Sequence, residues 1–276
     1  MSVRQSVDDS WHRRICEVAE ASARAAGEVL LTYFGDDSIR TAVKAGGELT
    51  SPADLESEAL IKCIIHSSFA DHHVVAEEGG SYGTPSQHNW IVDPLDGTHN
   101  FLRGWDDWAV SIAYAHGTVV EVGVVYVPTT NMMYSAIRGR GASKNGHRLE
   151  AAATTKLADS VALCSASAPP WQTEARHILD CLWGSAHDIR MTGCGSRALC
   201  RVAEGSADMF AEVDGGVWDY AAGSLIAHES GAAITDYYGL EMTARSATVL
   251  ACATAELQSQ LHACAGIGSD TRRAKV

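Results

Sequence analysis

The apolar run Trp90-Ile91-Val92 ends abruptly in Asp93-Pro94-Leu95-Asp96-Gly97-Thr98, so two carboxylates three residues apart, a glycine and a hydroxyl crowd the end of one strand. A chain with this segment has to fold so that a core strand delivers charge to its own C-terminal edge. Carboxylates held that close repel unless a cation lies between them, and Mg²⁺ is the common cation of oxygen-only ligand sets that handle phosphates. Asp-Pro and Asp-Gly are also ordinary turn dipeptides that close strands, so the segment has to be read with its company.

Two further segments empty short apolar runs into acids. His73-Val74-Val75-Ala76 leads into Glu77-Glu78-Gly79-Gly80. Gly215-Gly216-Val217-Trp218 leads into Asp219, just before the small-residue, helix-like stretch Tyr220-Ala221-Ala222-Gly223. Singly, Glu77 and Glu78 also fit solvated loop charges, and Asp219 a helix N-cap.

In this order, Glu-Glu, then Asp-Pro-Leu-Asp-Gly-Thr, then Trp-Asp with small residues, the chain resembles the inositol monophosphatase family of Mg²⁺-dependent, lithium-sensitive phosphatases. The likeness runs from about Ser22 to about Ala263. The resemblance implies that Glu77, Asp93, Asp96 and Asp219 are metal ligands together with the Leu95 carbonyl, and that two or three Mg²⁺ ions occupy each site. It further implies that Thr98 orients the attacking water, that the amides of Gly97 and Thr98 hold the phosphate, and that Asp54 hydrogen-bonds the threonine. Glu212, seven residues before Asp219, falls where inositol-specific relatives contact a ring hydroxyl, and Gly195, Ser196 and Arg197 fall in the region that contacts the alcohol.

The chemistry calls for these residue types independently. A phosphate monoester dianion repels nucleophiles, so charge must be neutralised, a water acidified and the leaving alkoxide stabilised, and metal ions serve all three needs. A bridging carboxylate can hold two ions about 3.5–4 Å apart, and Asp93 is the candidate bridge. Asp96 and Asp219 would then serve the ion near the leaving oxygen, and Glu77 the ion carrying the water. Gly97 lets main-chain N–H groups approach an anion.

The 276 residues suffice for one large domain or two closely packed halves, and 46% hydrophobic with 20% charged content is ordinary for a globular enzyme. A formal charge of −13 with scattered basic residues argues against a nucleic-acid partner. The acidity either concentrates Mg²⁺ or serves solubility. Eight cysteines without a Cys-x-x-Cys pair read as reduced core thiols of a cytoplasmic protein. The polar start, Met1 to Arg14, carries no signal peptide, and no stretch approaches the roughly 20 apolar residues of a membrane span. His72-His73 reads as surface decoration. The expected partner is a small phosphate ester, with neither nucleic acid nor membrane, and the resemblance implies a homodimer.

Helical spacing of Ile15, Val18, Ser22, Ala25, Val29 and Tyr33 predicts a first helix ending at Gly35, and Ser51-Pro52 starts a second through Leu55, Ala59 and Ile65. Strands follow at 73–76, 89–93, 108–115, 119–127 and 132–136, with a turn at Asn145-Gly146, which predicts a mainly antiparallel sheet. Beyond Thr155, strands at 160–165, 188–191, 207–211, 232–235 and 247–252 alternate with helices, which predicts a smaller mixed or parallel sheet. The fold class is therefore α+β, and the resemblance implies a layered αβαβα sandwich. We divide it into an N-terminal half, 1–155, with most metal ligands, and a C-terminal half, 156–276, which completes the active site at the seam.

Departures from the family pattern bear on substrate. Ala76 stands where Gly usually precedes the glutamates, His99 follows Thr98, and Leu102 to Trp108 lacks the usual proline. Glu212 and Asn100-Phe101 favour inositol 1-phosphate or a related cyclitol or sugar phosphate. Arg197 either binds a second phosphate, as in fructose 1,6-bisphosphate or adenosine 3′,5′-bisphosphate, or pairs with acids on the helix surface. Histidinol phosphate is a third branch, and a non-catalytic sugar-phosphate-binding regulator is the rival from another class.

Overall fold

A computed structural model of the protein describes residues 3–36, 38–44, 49–165, 173–213 and 215–267. The first half runs α1 (Val3–Tyr33), β1 (Ala42–Val43), β2 (Leu49–Thr50), α2 (Pro52–Ser68), β3 (His73–Ala76), β4 (Gly80–Tyr82), β5 (His88–Asp96), α3 (Thr98–Leu102), β6 (Ala109–His116), β7 (Val119–Val127), β8 (Met132–Ile137), β9 (Ala142–Lys144) and β10 (His147–Arg148). The second runs β11 (Val161–Cys164), α4 (Thr173–Ser185), β12 (Asp188–Met191), α5 (Gly195–Ala203), β13 (Met209–Glu212), α6 (Val217–Glu229), β14 (Ala233–Thr235), β15 (Val249–Cys252) and α7 (Ala255–Ala265).

The eight-stranded sheet has the order β10-β9-β8-β7-β6-β5-β3-β4, antiparallel except between β3 and β5. The five-stranded sheet, β12-β11-β13-β15-β14, is parallel on one side of β13 and antiparallel on the other. Period-two alternation sorts side chains by size. On β6, Val110, Ile112 and Tyr114 enter the core under α1 and α2, whereas Ala109, Ala113 and Ala115 face the other way. The small face admits α5 and α6 between the two sheets; a Cβ on Gly123 of β7 would lie 2.6 Å from the Ala222 carbonyl oxygen of α6. Helices α4 and α7 cover the far face of the smaller sheet. The result is the expected five-layer αβαβα stack.

Some local expectations are revised. The core face of α1 is Ile15, Ala19, Ala23, Ala26 and Leu30, while Val18, Ala25 and Val29 stand at its margin. Close approach to the sheet is the reason, since a Cβ on Gly27 would meet the Tyr126 ring at 2.7 Å. On α2, Leu55 is exposed and Asp54, Ser57 and Glu58 turn inward. Cys181 of α4 and Cys264 of α7 form a disulfide with Cα atoms 5.6 Å apart, which corrects the all-reduced reading; a separation of 83 residues leaves no spacing signal. Residues 171 and 172, the expected start of the α4 helix, lie outside the described residues. No helix among the described residues is long and apolar enough to cross a membrane.

His72 is buried rather than surface decoration. Its ring stacks between Phe69, at a centroid distance of 4.7 Å, and His88, at 4.6 Å, and its Nδ1 accepts a hydrogen bond from Trp90 Nε1 at 3.0 Å. Burial, reinforced by His88, pulls its pKa down to about 4. Neutral imidazole is therefore favoured in the folded chain, and protonation favours unfolding. The associated stability is fully present above pH 6.5, the ordinary histidine value, and is lost as pH falls toward 4. Denaturant titrations of the parent and His72→Phe should show the parent losing stability relative to the variant between pH 7.5 and 5, as roughly expected for that titration window. A pH-independent difference would contradict this account.

Candidate active site

In a regular strand, residues three apart face opposite sides of the sheet. Asp93 and Asp96 escape that rule through a bulge in the β5–β6 pairing. Asp93 pairs with Ser111 and Asp96 with Ala109, so three steps on β5 oppose two on β6. Pro94, which has no N–H to give the ladder, stands inside the irregularity. The extra residue re-aims Asp96 to the side of Asp93. The first turn of α6 adds Asp219, and carboxylate oxygens of the three lie within 4.8 Å of one another. Glu77 is brought up by β3, whose Ala76 pairs with Val92, and its N–H donates to the Val92 carbonyl at 3.2 Å.

Each acid has its own donors. Asp93 accepts from the Leu95 N–H at 2.9 Å. Asp96 accepts from the Ser196 hydroxyl at 2.5 Å and N–H at 2.7 Å, from the Gly195 N–H at 3.3 Å and from the Cys194 thiol at 3.2 Å, all at the start of α5. Asp219 closes a capping box by accepting from the Gly216 N–H at 2.5 Å. Lys44 bridges Glu77 at 2.5 Å and Glu78 at 2.7 Å. Lys44 and Cys194 were not singled out from the sequence, and Glu78 was read only as half of the acid pair; Lys44 belongs to a loop far from the acids and carries no spacing signal.

Burial pushes Asp93 well above the carboxylate range, and Glu77, Asp219 and Asp96 add to the shift. Burial, then Asp96, lifts Asp219 to about 8, and burial lifts Glu77 to about 7 against the pull of Lys44. Asp96 is also raised by burial, against its hydrogen bonds. Such crowding of hard oxygen donors fits a divalent cation, whose charge would remove the repulsion that holds these protons.

Beside the cluster, Gly97 adopts φ 90° at the cap of α3, where a Cβ would lie 2.9 Å from the Asp107 carbonyl oxygen. Thr98 follows, half-buried, with its hydroxyl 3.1 Å from the Leu95 carbonyl and 3.4 Å from Asp54 Oδ1. Asp54 is fully buried; its other oxygen accepts from the Ser51 hydroxyl at 2.6 Å and N–H at 2.9 Å, which caps α2. Burial raises Asp54 to about 6.

The expected substrate contacts divide. Glu212, at the end of β13, lies so near α5 that a Cβ on Gly195 would meet its Oε2 at 2.8 Å. Ser196 is fully buried with its hydroxyl on Asp96, so it positions a carboxylate instead of touching an alcohol. The Arg197 Nε pairs with Asp107 at 3.1 Å and its Nη1 donates to the Asp106 carbonyl, so Arg197 is tied to an acid as the second alternative expected, although that acid stands in the loop before β6 and not on the helix surface. His99 is exposed, and Trp105 is exposed whereas Trp108 is buried.

A sequence model of the inositol monophosphatase family matches residues 11–266. The protein of Vibrio cholerae named Nus factor SuhB is 36% identical over 229 residues, covering 80% of this chain and 85% of its own. Among solved structures, the extragenic suppressor protein suhB of Bartonella henselae superposes with a TM-score of 0.87 at 30% identity, covering 92% of this chain and 99% of its own. The inositol monophosphatase of Anabaena (Nostoc) sp. PCC 7120 gives 0.80 at 26%, covering 92% and 96%.

Removing one donor from Asp96 should loosen the cluster without unfolding the chain. Ser196→Ala is expected to weaken Mn²⁺ binding, read by electron paramagnetic resonance, roughly 10–100-fold, the usual effect of losing a group that orients a ligand. Unchanged affinity would show that the N–H groups of α5 suffice.

Proposed function

The chain belongs to the inositol monophosphatase family, and from that membership and the site geometry we propose that it is a Mg²⁺-dependent phosphomonoesterase acting on inositol 1-phosphate or a related cyclitol or sugar monophosphate. The observation that carries this reading is the bulge that sets Asp93 beside Asp96 and under Asp219. Asp93, Asp96, Asp219, Glu77 and the Leu95 carbonyl would hold the ions. Bound Mg²⁺ supplies charge neutralisation, a more acidic water and stabilisation of the leaving alkoxide.

The remaining work falls to the chain. The Thr98 hydroxyl, held between the Leu95 carbonyl and Asp54, can align a water and pass a proton toward the buried Asp54 carboxylate. Gly97, free of a side chain, and the first amides of α3 leave room for phosphate oxygens. On this reading Glu212 accepts from a substrate hydroxyl. With Arg197 tied to Asp107, support for a second phosphate group weakens, so fructose 1,6-bisphosphate and adenosine 3′,5′-bisphosphate rank below a monophosphate. Histidinol phosphate stands as a further alternative.

A second reading draws on the name Nus factor carried by relatives at up to 36% identity: a role in transcription separate from hydrolysis. An Asp93→Asn protein that complements such a role while lacking turnover would favour it.

The deciding experiment is phosphate release with and without Mg²⁺ from inositol 1-phosphate, fructose 1,6-bisphosphate, adenosine 3′,5′-bisphosphate, histidinol phosphate and several sugar phosphates. A dominant Mg²⁺-dependent signal on inositol 1-phosphate or a sugar monophosphate is expected; silence on all would overturn the reading and favour a sugar-phosphate-binding regulator. Asp93→Asn should nearly abolish turnover with the fold intact, because charge is lost but shape is kept. Thr98→Ala should lower kcat by roughly 10²–10⁴, as loss of a proton-handling group does; an unchanged kcat would remove Thr98 from the mechanism.

A further inference from the structure

Away from the carboxylate cluster, a cavity of about 170 Å³ opens at the seam of the two sheets. Val120 and Arg138 line it from the larger sheet, Ile234 from the smaller one, and residues 241–243 close it opposite α6. Its walls are held independently of any occupant. The Glu229 carboxylate at the end of α6 accepts from the Gly139 N–H at 2.7 Å and the Gly141 N–H at 2.8 Å. The Ala244 N–H, just past the closing segment, donates to the Thr118 carbonyl at 2.9 Å.

Three polar features make this more than a packing gap. Ser224 of α6 lines the cavity and is only 5% exposed, yet its hydroxyl has no hydrogen-bond partner among the described residues. A buried hydroxyl without a partner is costly and calls for one. Arg138 donates through Nε to the Val120 carbonyl at 2.7 Å, which fixes the guanidinium at the cavity while leaving its outer N–H groups to a ligand. Glu241, of opposite charge, lines the same space and is not ion-paired with Arg138 among the described residues.

We propose that this cavity binds a small apolar α-amino acid. The ligand carboxylate meets Arg138 and, once the serine side chain turns about χ1, the Ser224 hydroxyl; the ammonium meets Glu241, and the ligand side chain lies against Val120, Leu225, Ile234 and Met242. Size and charge both select this class. An apolar cavity of about 150 Å³ accommodates benzene, so the space fits a leucine-sized side chain. A phosphate dianion would meet like charge at Glu241, whereas a zwitterion pairs with both charges. The site is separate from the carboxylate cluster, because Ser224 and His228 follow Asp219 by five and nine residues on α6, about 8 and 14 Å along the helix.

Isothermal titration calorimetry of the full chain with L-leucine, L-isoleucine and L-phenylalanine tests this directly. At least one should bind saturably, one per chain. 4-Methylpentanoate and isoamylamine, which each keep one charge of leucine, should bind roughly tenfold more weakly or not at all. Arg138→Gln and Glu241→Gln should each weaken binding roughly tenfold, and Ser224→Leu, which fills the space, should abolish it. Should Ser224→Leu fail to fold, the two charge variants decide the matter. The proposal is overturned if no amino acid binds by about 10 mM, if the charge variants bind as the parent does, or if 4-methylpentanoate matches leucine.

Discussion

Mutual repulsion among Glu77, Asp93, Asp96 and Asp219 is the constraint around which this structure is arranged. Burial alone raises each of them, and for Asp93 the other three raise it further. The fold answers with donors that mostly cannot titrate. Backbone N–H groups of Leu95, Gly195, Ser196 and Gly216 each point at one carboxylate, and among the described residues Lys44 alone pairs with them as a formal positive charge. Amides at helix starts carry partial positive charge without the hydration cost of a buried ammonium. They set the direction of each carboxylate while leaving oxygens turned toward a common point.

That solution dictates the central layer. Asp96 belongs to the large sheet but is held by α5, and Asp219 rides on α6, so both helix starts must converge on the end of β5. Convergence requires close packing. The alanines on the inner face of β6, Gly123 on β7, and Ala221, Ala222 and Gly223 on α6 supply it. Larger residues there would add apolar burial, yet they would lift α6 from the sheet and carry Asp219 with it. Size is thus traded against position in the layer that serves the site, while bulk is concentrated on the outer face under α1 and α2, where Ile112, Tyr114 and Trp90 pack.

The layered class and most strands were legible because period-two apolar runs are long and bounded by turns, as at β7. Where the reading slipped, polar residues faced inward for a reason that lies elsewhere in the chain. On α2, apolarity pointed to Leu55, but the inner face is Asp54, Ser57 and Glu58, which contact the Thr98 hydroxyl, the Pro94 carbonyl and the Glu78 N–H respectively. Asp54 as a partner of Thr98 was foreseen from family likeness, not from pattern. Ser196 was placed near the site but given the wrong neighbour, since nothing local distinguishes a hydroxyl facing substrate from one facing Asp96. The disulfide and the buried His72 escaped for the same reason: a cysteine or histidine shows its partner only after distant segments meet.

A helix enclosed between two sheets has no wet face on which polar side chains can rest, so each one within it needs a partner. From Tyr220 to Ala227, α6 is buried throughout, and its residues are otherwise small or aliphatic apart from Tyr220. Asp219, at the helix start, finds the Gly216 N–H and the other acids. The Tyr220 hydroxyl accepts from the Gly215 N–H at 2.6 Å. Ser224 finds nothing among the described residues, although a serine in mid-helix readily bonds the carbonyl one turn back. An alanine would fill the same space at no polar cost. On the proposal made above, the hydroxyl turns toward an occupant of the cavity, and the charges of Arg138 and Glu241 around the same space give the kind of molecule that is.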